Sequence, residues 1–272
     1  MSWLPQVAKV ATDRGDVRGW LLFLHGILGS GANWRTIARR VVAARPDWGA
    51  LLVDLRMHGR SQGAPPPHTI AAAADDLVRL AAESGLAVTG VVGHSFGGKV
   101  ALELRGKLEL DTIWVLDAAP GPRAEPEGDP DSALHVLAAL RQLPGAFADR
   151  AAFVAAMIGR GFSHGLADWL AMNLEPVDGG YRLRLDLDAV GELLADFYRS
   201  DLWPAVESGP GDMHLVIAAR SRAFDPSDVR RAAALPIAVH TIDAGHWLHM
   251  ESADALVALI SEKLPAPSPG QP

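Results

Sequence analysis

The stretch VVGHSFGGKV, residues 91–100, places a serine between two glycines, directly after an apolar run and directly before a segment with helical character. Read as G-x-S-x-G over Gly93, Ser95 and Gly97, it has the spacing of a nucleophile elbow, a sharp strand-to-helix turn that holds a hydroxyl clear of the backbone. Five letters recur by chance, so the reading depends on whether the rest of the chain supplies what such a serine needs.

Working outward, the first half of the chain alternates short apolar runs with longer amphipathic segments. WLLFL (20–24), ALLVD (50–54), TGVVG (89–93) and TIWVLD (112–117) have the length and flanking turn residues of buried parallel strands. Between them, 33–45, 69–84 and 95–107 read as helices, the second capped by Thr69 and ended by Gly85. This rhythm predicts a mostly parallel sheet covered by helices on both faces. It breaks at APGPRAEPEGDPD (119–131), too rich in Pro, Gly and acid for a strand or helix interior. From there to about 205 the chain reads mainly as helices, with one strictly alternating piece, YRLRLDL. The βα rhythm resumes with HLVIAA (214–219), a helix near 226–234, IAVHTI (237–242) and a helix over 253–264 that Ser252 caps. The simplest account is an α/β core (1–118 and 206–264), a helical cap insertion (119–205) and a disordered tail (265–272).

Bulk composition narrows the function classes. The 272 residues are 49% apolar and 21% charged, ordinary for a folded globular chain. Lys plus Arg number 25 against 32 Asp plus Glu, a formal charge of -7, and no segment concentrates basic residues, which argues against nucleic acid as a partner. Without cysteine there are no disulfides, thiolate metal sites or cysteine nucleophiles. The N-terminus carries Lys9, Asp13 and Arg14 where a signal peptide needs apolar residues, and no run is long enough to span a membrane. A cytoplasmic protein without a membrane anchor is the expectation; oligomeric state is unreadable.

A serine hydroxyl needs a base within hydrogen-bond reach, an acid to orient that base, and donors for the oxyanion. His246, in DAGHWLH after the last predicted strand, is the candidate base among ten histidines, because strand ends on one edge of a parallel sheet converge. HGILG (25–29) follows the first strong strand, and the backbone N–H groups of Ile27 and Phe96 are the expected oxyanion donors. GILGSG fits neither phosphate-binding glycine spacing. His25 and His94 read as braces for the loop and the elbow.

These motifs, with LLVDLRMHGRS, VLDAAP, YRLRLDLDAV and AGHWLHMESADAL, resemble the α/β-hydrolase superfamily, and within it the YbfF-like and ABHD11-like esterases. The resemblance covers nearly the whole chain. It implies a cofactor-free serine hydrolase with a helical cap, acting on small-molecule esters or acyl thioesters; a preference for short to medium acyl chains, and no metal, are the accompanying expectations. A C–C hydrolase or lyase acting on a metabolite carboxylate with the same triad is the alternative. Dehalogenase and epoxide hydrolase chemistry needs a carboxylate where Ser95 stands. The acid is ambiguous: the usual position falls near Arg222 and Ala223, with Asp225 slightly late; Asp117 ends the strand after the elbow helix; Asp188 matches a cap aspartate of the resembling group. Asp117 is the preferred member of the triad.

Other signals read more plainly. Asp54, Arg56, His58 and Arg60 in DLRMHGRS fit loop-tying contacts better than an anion clamp. His246 and His249 lack further ligands for a metal. Trp247 beside the base, with Met157 and Trp169 of the cap, are the candidate substrate-pocket residues, ahead of Phe162, Met172, Phe197 and Trp203.

Overall fold

Alternation of side chains along apolar strands explains how two helical layers find one sheet. The computed structural model describes residues 3–13, 16–124, 132–208 and 212–266. Strands β1 (Val7–Val10), β2 (Gly19–Leu24), β3 (Trp48–Val53), β4 (Val88–His94), β5 (Thr112–Leu116), β8 (Asp212–Ala218) and β9 (Ala238–Ile242) form one sheet, ordered β1-β3-β2-β4-β5-β8-β9. All neighbours are parallel except β1, which runs antiparallel to β3. Strand β1 has no strong apolar run and was not expected from the sequence; its half-exposed residues borrow their pairing from the β3 edge.

In β2, Leu21 and Phe23 point to one face and Leu22 and Leu24 to the other. The first face packs with Trp34, Val41, Trp114, Leu256 and Ile260, bringing helices α1 (Arg35–Ala44) and α11 (Ala253–Lys263) together. The second packs beneath α2 (Ile70–Ser84) and α3 (Phe96–Arg105). Helix α2 begins where Thr69 accepts the Ala72 N–H at 3.1 Å and stops at Gly85, whose φ of 65° is left-handed. Ser252 occupies the N-cap position of α11, but its hydroxyl donates to the Asp243 carbonyl at 3.0 Å instead of capping.

Between β5 and β8 the chain carries α4 (Ala133–Arg141), α5 (Arg150–Ile158), α6 (His164–Ala171), the hairpin β6 (Leu174–Val177) and β7 (Gly180–Leu183), α7 (Leu187–Arg199) and α8 (Trp203–Ser208). The alternating YRLRLDL splits: its first half is β7, and its last residues lead into α7, where Asp186 caps by accepting from Asp188 and Ala189 N–H at 3.1 Å. Phe153, Met157, Leu170 and Leu193 join the same apolar cluster as Leu22 and Val100, so the insertion shares its core with the helical face above the sheet. Helix α9 (Pro226–Ala233) follows β8, and a short turn, α10 (Leu248–Glu251), follows β9. The tail expected to be disordered from 265 is anchored at its first residue: the Pro265 carbonyl accepts from Arg45 at 2.7 Å and from the Trp48 indole at 3.1 Å. Residues 267–272, and 125–131 of the Pro-rich break, lie outside the described residues. Among the described residues no helix is long and apolar enough to cross a membrane.

Candidate active site

The elbow is built from backbone that only a tight crossing tolerates. Ser95 follows β4 and precedes α3 with φ 52° and ψ −115°, a conformation that L side chains rarely adopt and that is kept where the surroundings over-determine it. Its N–H donates to the Leu116 carbonyl at 3.0 Å, and its carbonyl accepts from Gly98 at 2.9 Å and Lys99 at 3.2 Å. Helix α3 then passes so close to the end of β2 that a Cβ at Gly97 would lie 2.6 Å from the Leu24 carbonyl oxygen. The crossing requires glycine at 97, and also at 93, where a Cβ would fall on the Gly97 carbonyl.

His246 sits on the loop between β9 and α10, with a half-exposed ring. Its Nε2 lies 3.1 Å from Ser95 Oγ and its Nδ1 lies 2.7 Å from Asp117 Oδ2. With Nδ1–H donating to the carboxylate, the Nε2 lone pair faces the hydroxyl. Asp117, just past β5, is buried at φ 48°; its N–H donates to the Val216 carbonyl at 2.8 Å, and its second oxygen accepts the Ala218 N–H at 3.1 Å. The carboxylate is therefore held by the neighbouring strand β8. Ser95 is half-buried.

The other two aspartates weighed from the sequence stand elsewhere. Asp225 is the N-cap of α9, accepting the Ser227 hydroxyl at 2.6 Å and the N–H groups of Asp228 at 2.9 Å and Ser227 at 2.7 Å, and these bonds, the hydroxyl first, hold its carboxyl below the usual range. Asp188 is exposed and pairs with Arg141 at 3.0 Å.

Ile27 follows Gly26, where an added Cβ would lie 3.4 Å from that of Ser95, on the loop after β2. Phe96 is the first residue of α3, so its N–H has no intrahelical acceptor, and neither N–H donates to another described protein group. The loop bearing Ile27 is fixed by two neutral imidazoles. His25 Nε2 accepts the Leu55 N–H and His58 Nε2 accepts the Leu28 N–H, both at 3.0 Å, holding Leu28 at φ 64°. Burial lowers both histidines, His58 to about 3, which keeps them acceptors at neutral pH. From the insertion, Asn173 Nδ2 donates to the Leu28 carbonyl at 2.8 Å; nothing in the sequence around Asn173 signals that contact.

His94 braces the His246 loop rather than the elbow. Its Nε2 donates to the His246 carbonyl at 2.8 Å, and its ring tilts against those of His246 at 4.8 Å and His249 at 4.7 Å. Burial, then the neighbouring His249 and His246, push His94 well below the usual imidazole range, and burial pushes His249 to about 4. His249 is buried and also packs on Trp34 at 5.1 Å.

Of the pocket candidates, Trp247 meets Trp169 of the insertion edge-on at 4.7 Å and lies 5.7 Å from the His246 ring. Met157 is fully buried in the insertion, so no surface of it is open to a ligand in this conformation. Phe197 approaches the Phe96 ring at 6.4 Å, while Trp203 lies under the Arg231 guanidinium and Met172 is exposed. The DLRMHGRS residues tie loops: Asp54 accepts from Gly31 at 2.8 Å and Arg60 at 2.9 Å, and buried Arg56 pairs with Asp76 at 2.7 Å. Arg60 instead faces an open groove with Gln62, Glu175, Arg182 and Arg184, which contains neither Ser95 nor His246.

Comparison with known proteins agrees with this architecture. The chain is 28% identical over 242 residues to the sn-1-specific diacylglycerol lipase ABHD11 of Mus musculus, covering 85% of this chain and 76% of that one. It is 26% identical over 259 residues to its Danio rerio counterpart, covering 85% and 74%. A solved structure described as a marine microorganism esterase superposes with a TM-score of 0.83 at 24% identity, over 97% of this chain and 100% of that one. The family model for the "Alpha/beta hydrolase family" matches residues 21–259, from the first parallel strand to the last helix, and the chain belongs to that family.

Proposed function

We propose that this hydrolase cleaves carboxylic esters through an acyl-enzyme on Ser95. The observation that carries the reading is the unbroken relay from Asp117 Oδ2 through His246 to Ser95 Oγ, with steps of 2.7 and 3.1 Å. His246 Nε2 takes the hydroxyl proton as Oγ attacks the acyl carbon, then returns it to the leaving alkoxide. Asp117 holds the Nδ1–H tautomer and stabilises the imidazolium. The N–H groups of Ile27 and Phe96 face the developing oxyanion, the second at the positive end of α3. Water, activated by the same imidazole, releases the acid. The naming of relatives matched over about three quarters of their length as lipases supports an oxygen ester, and the insertion over a half-buried serine supports a short to medium acyl group.

The test is Ser95→Ala assayed on p-nitrophenyl esters of increasing acyl length, with acyl-CoA thioesters alongside. The expected loss in kcat is about 10⁴-fold or more, with loss of fluorophosphonate labelling. Activity within tenfold of the parent refutes the nucleophile, and a rate maximum at long chains refutes the acyl preference.

A further inference from the structure

Lys99 lies one helical turn beyond Ser95 on α3, and acyl transfer makes no use of it. It is fully buried, unusual for a lysine unless its charge is matched. Its Nζ donates to the carbonyls of Gly121, Phe197 and Ser200, each at 2.8 Å, so all three ammonium hydrogens have an acceptor. Those acceptors come from both ends of the insertion: Gly121 where the chain leaves β5, Phe197 and Ser200 where α7 ends ahead of α8. The two connections are also stitched to each other, Leu202 N–H to the Pro120 carbonyl at 2.9 Å and Arg123 N–H to the Tyr198 carbonyl at 2.8 Å.

We infer that Lys99 is a positioning residue that clasps both ends of the insertion onto the nucleophile helix and so sets how the insertion sits over Ser95. The inference rests on the ester hydrolase reading for its effect on specificity, but its geometry does not. Two of the acceptors are orphan carbonyls at the C-terminal end of α7, where the helix dipole favours a cation. The Phe197 ring lies 4.8 Å from Nζ and touches Phe96, so a shift of the clasp reaches the residue beside the nucleophile. Burial, and then Arg123, lower the ammonium to about 8, opposed by Asp201, Asp196 and Asp228, so the clasp is charged at neutral pH. An apolar side chain of the same length would fill the space and leave three carbonyls unpaired.

The full-length protein is compared with Lys99→Met, Lys99→Arg and, as a control destabilised on the opposite face of the sheet, Ile260→Ala. Hydrogen exchange reads the amides of Arg123, Ser200 and Leu202 against those of β4 and β5; the acyl-length profile of kcat/KM reads specificity. In Lys99→Met the three linker amides exchange at least tenfold faster while β4 and β5 do not, and the ratio of kcat/KM between the shortest and longest ester changes at least tenfold. Lys99→Arg, which keeps the charge, recovers part of both. Should Lys99→Met not fold, Lys99→Arg is read alone, with threefold changes in the same two quantities expected. Linker amides that follow the core amides, as in Ile260→Ala, or an unchanged length profile beside unchanged exchange, overturn the inference. Failure of the hydrolase reading shows separately, as an active Ser95→Ala with the exchange result intact.

Discussion

Replacing Asp117 with asparagine asks a sharp question, because the side chain keeps its shape and loses only its symmetry as an acceptor. In the protein one oxygen of Asp117 accepts the Ala218 N–H at 3.1 Å and the other accepts from His246 Nδ1 at 2.7 Å. The buried asparagine must choose. Turning its NH2 toward Ala218 N–H opposes two donors and leaves a buried group unpaired, at a cost of about 1–3 kcal/mol. The amide oxygen therefore stays with Ala218, and the NH2 faces His246. The imidazole then accepts at Nδ1 and carries its proton on Nε2, aimed at Ser95 Oγ, where a lone pair is required. A triad in this wrong tautomer loses about 10⁴-fold in kcat, equivalent to about 5.5 kcal/mol of barrier. KM and melting temperature stay close to the parent, since volume and most hydrogen bonds survive. The assay is steady-state hydrolysis of a p-nitrophenyl ester beside Asp225→Asn and Asp188→Asn, both expected within threefold of the parent because one carboxylate caps α9 and the other pairs with Arg141 in solvent. Activity of Asp117→Asn within tenfold of the parent, or an equal loss in Asp225→Asn, refutes the reasoning.

Gly97→Ala places a Cβ 2.6 Å from the Leu24 carbonyl oxygen at the end of β2 and 2.7 Å from that of His25 just beyond it, against backbone that cannot yield, and is expected to destabilise by more than about 3 kcal/mol with loss of activity; a urea midpoint within error of the parent refutes it. Acid should unfold the protein more steeply than its carboxylates alone would predict. Burial lowers His58 to about 3, His214 and His249 to about 4, and His94 well below its usual value, so the unfolded chain binds more protons below about pH 6.5 and stability falls as pH falls through that window. Each of these contributes on the order of 1–2 kcal/mol of loss between pH 7 and 5, and a urea midpoint equal at the two pH values contradicts it.

Local sequence carried a large share of this protein. Apolar runs bounded by turn residues located six of the seven strands of the main sheet, and Gly93, Ser95 and Gly97 announced the elbow, because strand burial and turn chemistry are written within a few residues. The edge strand β1 and the hairpin strand β6 escaped that reading: Val7–Val10 lacks a buried run, and Leu174–Val177 carries a proline, so each is a strand by virtue of its partner. Asp225 had a local signature as well, with a serine and a second acid in the capping pattern that the structure displays. What only the tertiary structure decided was which carboxylate stands behind His246, that His94 holds the His246 carbonyl rather than the elbow, and that Lys99 gathers both ends of the insertion. The residues of the relay lie 129 and 151 positions apart, and Lys99 reaches 98 and 101 positions to α7 and its cap. Such contacts depend on the register of parallel strands and on loop backbones at positive φ. Neither leaves a periodic trace in the chain, because the partner that selects them is distant in sequence and adjacent only after the sheet has formed.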